Sequence, residues 1–175
     1  LLYSSSQDPE VPYINIWQRS ILNPRYHDYY INRFADVMNS AYLDDRIQGI
    51  AQDFYDLARP DMGDQLLRWR GTDTTSLLIA YQGFNEAFMN DLALRTPEMR
   101  DDIQQFFSLP RQVDVTLDVH PAGAGKIHIS TLKPDEYPWE GVYFDGVPVQ
   151  LTAVAEPGFV FQHWHQNGLF ADTLN

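Results

Sequence analysis

Acidic pairs are the first residues in this 175-residue sequence whose types and spacing could do chemistry. Two carboxyl groups on either side of one glycosidic bond act as acid and base in sugar hydrolysis. Each pair, however, stands where a helix is predicted to begin, and acidic side chains there interact favourably with the helix dipole. We therefore interpret the pairs as helix-start residues, and the spacing of an EF-hand calcium loop is missing. The pairs are Asp44-Asp45, Asp61-x-x-Asp64 and Asp101-Asp102.

Histidines near the end of the sequence could bind a metal ion. In His163-Trp164-His165 both imidazoles would point to one face of a strand, and His120 or His128 could join them. A clear third ligand is missing, so we interpret these histidines as exposed residues near a strand end. The sequence has no cysteine, which excludes disulfides, zinc-thiolate sites and a cysteine nucleophile.

Residues 137–146, YPWEGVYFDG, combine aromatic rings with residues that bend the backbone. In the structural interpretation, the proline and glycines set sharp turns, and the rings close the core of a small sheet. In the functional interpretation, exposed rings form a platform for a sugar, with a carboxylate bonding its hydroxyls. The candidate residues for this platform are Trp139, Tyr143, Asp145 and Trp164.

The net charge of −12 restricts the classes of partner. Nucleic acids and anionic membranes are recognised by basic patches, and none is visible here. No run of about 18 apolar residues occurs, so no transmembrane helix is predicted. The sequence has two lysines, Lys126 and Lys133, and no glycine-rich phosphate loop. A nucleotide site is therefore not predicted, and we name no catalytic, cofactor-binding or metal-binding residue.

The first half of the chain has the apolar period of helices. Asn23-Pro24 is a turn that leads into a helix, and Asp44 or Asp45 can cap the next one. Proline is expected to end a helix at Arg59 and to start another after Thr96. The predicted helical segments are 27–43, 44–59, 61–69, 77–94 and 97–109, with a polar linker at 71–76.

After Pro110 the apolar period changes to two, as in half-buried strands. Strands are expected at 113–119, 127–129 and 147–153, with a last one through Phe159 and Phe161. A linker as short as 109–111 should hold this β unit against the last helix. Helices first and strands second predict an α+β fold, with an N-terminal helical unit and a small antiparallel β domain.

The β half resembles a known extension. It has a strand, a Pro-x-Gly-x-Gly turn, a second strand, Tyr-Pro-Trp-x-Gly-x-Tyr-Phe-x-Gly, a Leu-Thr-Ala strand and a closing Gly-Phe-x-Phe-x-x-Trp. This order resembles the segment after the kinase-like domain of bacterial spore-coat CotH-type proteins, and it is similar to the divergent InlB-type B-repeat. The helical half resembles the last helices of the CotH-like domain. The matching stretches are Asn23-Pro24-Arg25-Tyr26, Arg33-Phe34-Ala35-Asp36, Arg68-Trp69 and Phe107-Ser108-Leu109.

The resemblance implies two units, a helical one over residues 1–110 and a β domain over 111–175. It implies the non-catalytic C-terminal region of a secreted or surface CotH-like protein. The helices would complete a kinase-like lobe, which becomes the expected partner, and the β domain would be an interaction module. ATP and a divalent metal are implied for the parent alone, because its nucleotide lysine and metal aspartates lie upstream of the matched segment. No signal peptide is recognised in residues 1–10.

Two other interpretations stay open. A carbohydrate-binding or adhesion module would use the exposed aromatic residues of the β domain, and a glycan or a cell-surface protein would be its partner. A complete small enzyme is favoured by nothing in the sequence.

Overall fold

The computed structural model describes residues 12–70, 74–166 and 169–171. Within them, four helices precede two small antiparallel sheets and a short terminal pair of strands, which confirms the α+β class. The expectation for residues 1–10 and the first half of the polar linker, 71–73, lie outside the described residues, whereas the second half, 74–76, belongs to a helix and not to a linker. The elements are α1 (Pro12–Ser20), α2 (Pro24–Met38), α3 (Asp44–Arg70), α4 (Thr74–Phe106), β1 (Gln112–Leu117), β2 (Gly125–Ile129), β3 (Trp139–Phe144), β4 (Leu151–Ala155), β5 (Trp164–Gln166) and β6 (Leu169–Ala171).

Helix α2 follows directly on the predicted Asn23-Pro24 turn and begins at Pro24, three residues before the predicted start at residue 27. The Asn23 side-chain oxygen accepts hydrogen bonds from the backbone N–H groups of Arg25 and Tyr26, at 3.0 and 3.4 Å, and Pro24 occupies the first turn. An amide oxygen at this position satisfies N–H groups that have no partner within the helix. The helix ends at Met38, earlier than predicted, and Asn39 forms its C-cap.

The predicted helix breaks at the two internal prolines are wrong. Pro60 lies inside α3 and Pro97 inside α4, and both helices continue through them. Both prolines are exposed, so the carbonyl freed by each ring faces solvent rather than an apolar interior. Packing of α3 on α4 offsets the local cost of the two prolines.

Helices α3 and α4 form an antiparallel hairpin. The Tyr55 and Tyr81 rings stack with centroids 5.2 Å apart. Nearer the base, the Thr96 hydroxyl donates to the Tyr42 carbonyl at 2.8 Å. Thr96 was a candidate cap for its own helix, but it binds the turn between α2 and α3 instead. These two contacts fix which levels of the helices face each other.

The strands pair in twos. β1 pairs with β3, β2 with β4 and β5 with β6, all antiparallel. The segment 137–146 contains β3, so it supplies a paired strand as well as turns. The strand expected at 147–153 starts at Leu151, and the one expected through Phe159 and Phe161 starts at Trp164.

One hydrophobic core joins the two halves. Helix α2 contributes Ile31 and Ala35, and α4 contributes Ile103. The β unit therefore packs on α2 as well as on the last helix, where the short linker places it. The buried residues from the β unit are Leu117, Ile127, Ile129, Tyr143, Phe144 and Val147.

Candidate functional site

The central ring of the candidate sugar platform is inside the core. Tyr143 is 2% exposed, and its hydroxyl donates to Asp36 Oδ1 at 2.7 Å. Burial, together with this hydrogen bond, raises the pKa of Tyr143. A buried ring with an occupied hydroxyl offers no face to a sugar, so Tyr143 closes the core, as in the structural interpretation of this segment.

Of the other three platform residues, Trp139 and Trp164 pack against the core, and the Trp139 ring lies 6.5 Å from the Tyr143 ring, measured between centroids. The half-buried Trp139 ring covers Gly141, where a Cβ atom would overlap the indole. Trp164 packs at 5.1 Å from the Phe161 ring, measured between centroids. Asp145 is half-exposed and accepts from Arg111 Nε at 3.0 Å. With Tyr143 removed from the surface, the four residues do not form one aromatic platform.

The acidic pairs lie apart along the helices. Asp44 and Asp45 are in the first turn of α3, as expected. Asp61-x-x-Asp64 lies in the middle of α3, so the prediction that it starts a helix is wrong. The same holds for Asp101-Asp102, close to the end of α4, where Asp101 accepts from Gln112 Nε2 at 2.7 Å.

The two histidines of His163-Trp164-His165 and the Arg68-Trp69 pair all lie at exposed positions. His163 and His165 are exposed near β5, and no group of three metal-binding side chains occurs in the described part of the chain. The Arg68 guanidinium lies 5.3 Å from the centre of the Trp69 ring. That ring is 71% exposed at the end of α3, so it does not seal the two helices together.

Buried polar side chains of α2 bind the β unit. Asn32, Asp36 and Asn39 recur at spacings of four and three, which puts them on one face of the helix, and all three are buried. We call these three residues the seam. Asp36 is fully buried, and its Oδ2 accepts from the Thr131 backbone N–H at 2.9 Å and from the Thr131 hydroxyl at 2.6 Å.

The two asparagines of the seam, which lie on either side of Asp36 along the helix, also form hydrogen bonds with the β unit. Asn39 pairs with the backbone of Val142 in both directions, each at 2.9 Å, much as a neighbouring strand would. Arg100 Nη2 also donates to Asn39 Oδ1 at 2.9 Å, and burial lowers the pKa of Arg100. Asn32 Nδ2 donates to the Pro148 carbonyl at 2.7 Å. The seam therefore fixes the β unit on α2.

The sequence predicted no catalytic role for the three seam residues, and it did not identify them as contacts to the β unit. The signal was present, because the spacing 32-36-39 interleaves with the apolar residues that face the core. Polar residues on the core side of a helix need hydrogen-bond partners when buried. Only the fold shows that the partners come from residues about one hundred positions later.

The largest unexplained feature is the surface of the α3–α4 hairpin. No described residue between 44 and 95 is buried. Tyr55-Tyr81 and Thr96-Tyr42 place Phe54 level with Phe84, and helical spacing then puts Ile50, Leu57 and Phe88 on the same side. We call these five residues the apolar face. Their exposed fractions are 41% for Ile50, 68% for Phe54, 75% for Leu57, 75% for Phe84 and 53% for Phe88.

At the level of the apolar face, the opposite side of the hairpin is polar. Gln52 Nε2 donates to Asp56, and Gln82 Nε2 donates to Glu86, each at 3.1 Å. Arg59 is exposed on the same side by its helical position. The hairpin is therefore amphipathic on its outer surfaces, although each helix already uses another side to contact its neighbour.

A groove of about 540 Å³ lies on the β unit, away from the predicted platform. Lys126 on its wall forms an ion pair with Asp135, and the Tyr137 hydroxyl donates to the Ile127 carbonyl at 3.2 Å. Phe159, which is 48% exposed, and Glu156 complete one side. An aromatic ring beside a few polar groups is typical of sites that bind small molecules.

Comparisons with protein-family models, with curated proteins and with solved structures found no match to this chain. Among the described residues, no helix combines the length and the apolar character needed to cross a membrane.

Proposed function

We propose that this chain is a non-catalytic protein-interaction region and that the α3–α4 hairpin is its docking element. The observation that carries the proposal is the apolar face, where five large side chains on one side of the hairpin remain between two-fifths and three-quarters exposed. Contiguous apolar surface of this size on a folded protein marks a binding site more often than chance exposure.

The proposal fits the resemblance to CotH-like proteins. There, the chain would be the C-terminal region of a secreted or surface protein, after a kinase-like lobe that uses ATP and a divalent metal. The lobe would then be one protein surface against which the helices pack. The seam supports a role for the β unit as a firmly attached accessory module, because buried hydrogen bonds hold it on α2.

A photo-crosslinking residue tests the docking role directly. Benzoylphenylalanine replaces Phe54 on the apolar face and, as the matched control, Arg59 on the polar side of the same helix. The natural gene product is expressed in its own host, irradiated and mapped by mass spectrometry. We expect a specific crosslink from position 54 and none from position 59. Equal crosslinking from both positions, or no crosslink from position 54, would contradict the proposed docking role.

A nucleotide titration tests the non-catalytic part. We expect no heat of binding when ATP is titrated into the chain with magnesium and then with manganese. Saturable binding in the micromolar range would reopen the enzyme interpretation.

Glycan binding by the β unit is the second candidate, and the groove beside Phe159 is the observation that favours it. Trp164 packs against Phe161, two positions after Phe159, so tryptophan fluorescence reports on this region. A titration with a panel of bacterial and plant polysaccharides should shift the emission, and Phe159→Ala should abolish the shift. An unchanged spectrum across the panel would remove this candidate.

A further inference from the structure

We infer that the partner of the apolar face is a second copy of this chain, docked about a two-fold axis to form a four-helix bundle. The inference rests on the proposed docking role of the hairpin. It adds the identity of the partner, the symmetry and the residues that meet.

The area of the apolar face is enough for a pair. At roughly 150–250 Å² for each large side chain, the exposed fractions leave roughly 470–780 Å² of apolar surface per copy. Two copies would bury up to roughly 950–1,550 Å² in total, which reaches the lower range of specific interfaces. Helical hairpins associate face to face in this way in four-helix bundles.

The order of residues along α3 is self-complementary. Ile50 and Leu57 lie on either side of Phe54. A two-fold axis perpendicular to the helices, passing next to Phe54, places Ile50 of one copy against Leu57 of the other. The central ring then meets its own symmetry mate, as an isologous interface requires.

Charges at the two ends of the apolar face follow the same symmetry. Arg46 lies about 12 Å before Phe54 along the helix, and Asp61 lies about 10 Å after it. Both side chains are exposed: Asp61 lies on the side of the apolar face, and Arg46 lies at its edge, where its Nη1 donates to the Ala41 carbonyl at 2.7 Å. The two-fold axis therefore brings Arg46 of each copy opposite Asp61 of the other, and the charges select the antiparallel arrangement.

Sedimentation equilibrium on the 175-residue chain tests the dimer. We expect a reversible monomer–dimer equilibrium, and Phe54→Asp with Phe84→Asp should weaken it by about 100-fold or more, because central aromatic residues dominate such interfaces. The matched control is Arg59→Gln with Ala93→Asp on the other side of the hairpin. It changes the net charge by the same amount and should leave association unchanged.

Charge reversal tests the symmetry. Arg46→Asp alone or Asp61→Arg alone should weaken the dimer about 5- to 10-fold, since each change acts twice in a two-fold interface. The two changes in one chain should restore most of the affinity. Failure of the double variant to recover would overturn the antiparallel arrangement.

The outcomes separate this inference from the proposed function. A chain that stays monomeric at all accessible concentrations overturns the dimer. If the crosslink from position 54 then maps to another part of the same gene product, such as a kinase-like lobe, the docking role stands with a different occupant. If no crosslink forms either, both proposals fail.

Discussion

The seam and the apolar face are opposite kinds of helix surface, since one buries polar side chains and the other exposes apolar ones. In the seam, polar side chains are buried, and almost every side-chain N or O atom has a hydrogen-bond partner in the β unit. On the apolar face, large hydrophobic side chains are exposed and have no partner among the described residues that covers them. The first surface is completed within the chain. The second is the kind of surface that another protein completes.

Asp36→Ala should have the largest effect on the first surface. It removes the acceptor of the buried Tyr143 hydroxyl and of the Thr131 backbone N–H, and should lower the free energy of unfolding by about 3–5 kcal/mol. Urea denaturation measures it. Asp53→Ala, on the exposed hairpin, is the control and should change stability by less than about 0.5 kcal/mol. A small effect of Asp36→Ala would mean that the seam does not hold the β unit.

Asn39→Ala should come next, at about 2–3 kcal/mol. It removes the paired hydrogen bonds with the Val142 backbone and leaves Arg100 with one partner fewer. The exposed Asn90→Ala provides a control of the same chemistry on the hairpin. Equal unfolding midpoints for the two variants would contradict the contrast between the surfaces.

Tyr143→Phe should cost about 1–2 kcal/mol near neutral pH, because one buried hydrogen bond is lost. It should also change the pH dependence. The folded protein raises the pKa of Tyr143 above its ordinary value of about 10, so the stabilisation is complete below about pH 10 and is lost as pH rises through the higher folded value. The wild-type free energy of unfolding should therefore fall in alkali, and more gently in the variant.

The variant Tyr30→Phe provides the control for this measurement of stability at alkaline pH. Burial also raises the pKa of Tyr30, so part of the slope should persist in Tyr143→Phe and decrease further when Tyr30→Phe is added. An identical alkaline slope in wild type and Tyr143→Phe would show that the phenol does not stay neutral inside the core.

The smallest effect is expected on the apolar face. Leu57→Gln should change the free energy of unfolding of the monomer by less than about 0.5 kcal/mol, because the side chain is already 75% exposed. Leu117→Gln, at a core position that is 7% exposed, should cost several times more. Thermal unfolding at low protein concentration compares them. A large loss in Leu57→Gln would mean that the hairpin surface belongs to the fold rather than to a partner.

Much of the local structure is readable from the sequence. The α+β class follows from the change of apolar period at Pro110, and the start of α2 follows from Asn23-Pro24. These features depend on neighbouring residues alone, through backbone geometry and capping.

The helix boundaries at Pro60 and Pro97 were predicted wrongly, for a physical reason. Proline removes one hydrogen bond and favours a break, but packing of α3 on α4 outweighs that cost when the ring faces solvent. The same merging moves Asp61 and Asp101 from expected helix starts to helix interiors. A local rule cannot weigh a contact made by a residue many positions away.

What the sequence determined by itself is the local pattern. It shows which stretches have the apolar period of a helix, which stretches alternate apolar and polar residues, and which side chains of α2 are polar on the core side. What only the tertiary structure decided is which of these side chains are buried inside the fold and which remain exposed. Tyr143 became a core residue because Asp36, more than one hundred positions earlier, supplies its hydrogen-bond acceptor. Phe54 and Phe84 became one exposed surface because α3 and α4 pair in a register that no local pattern encodes.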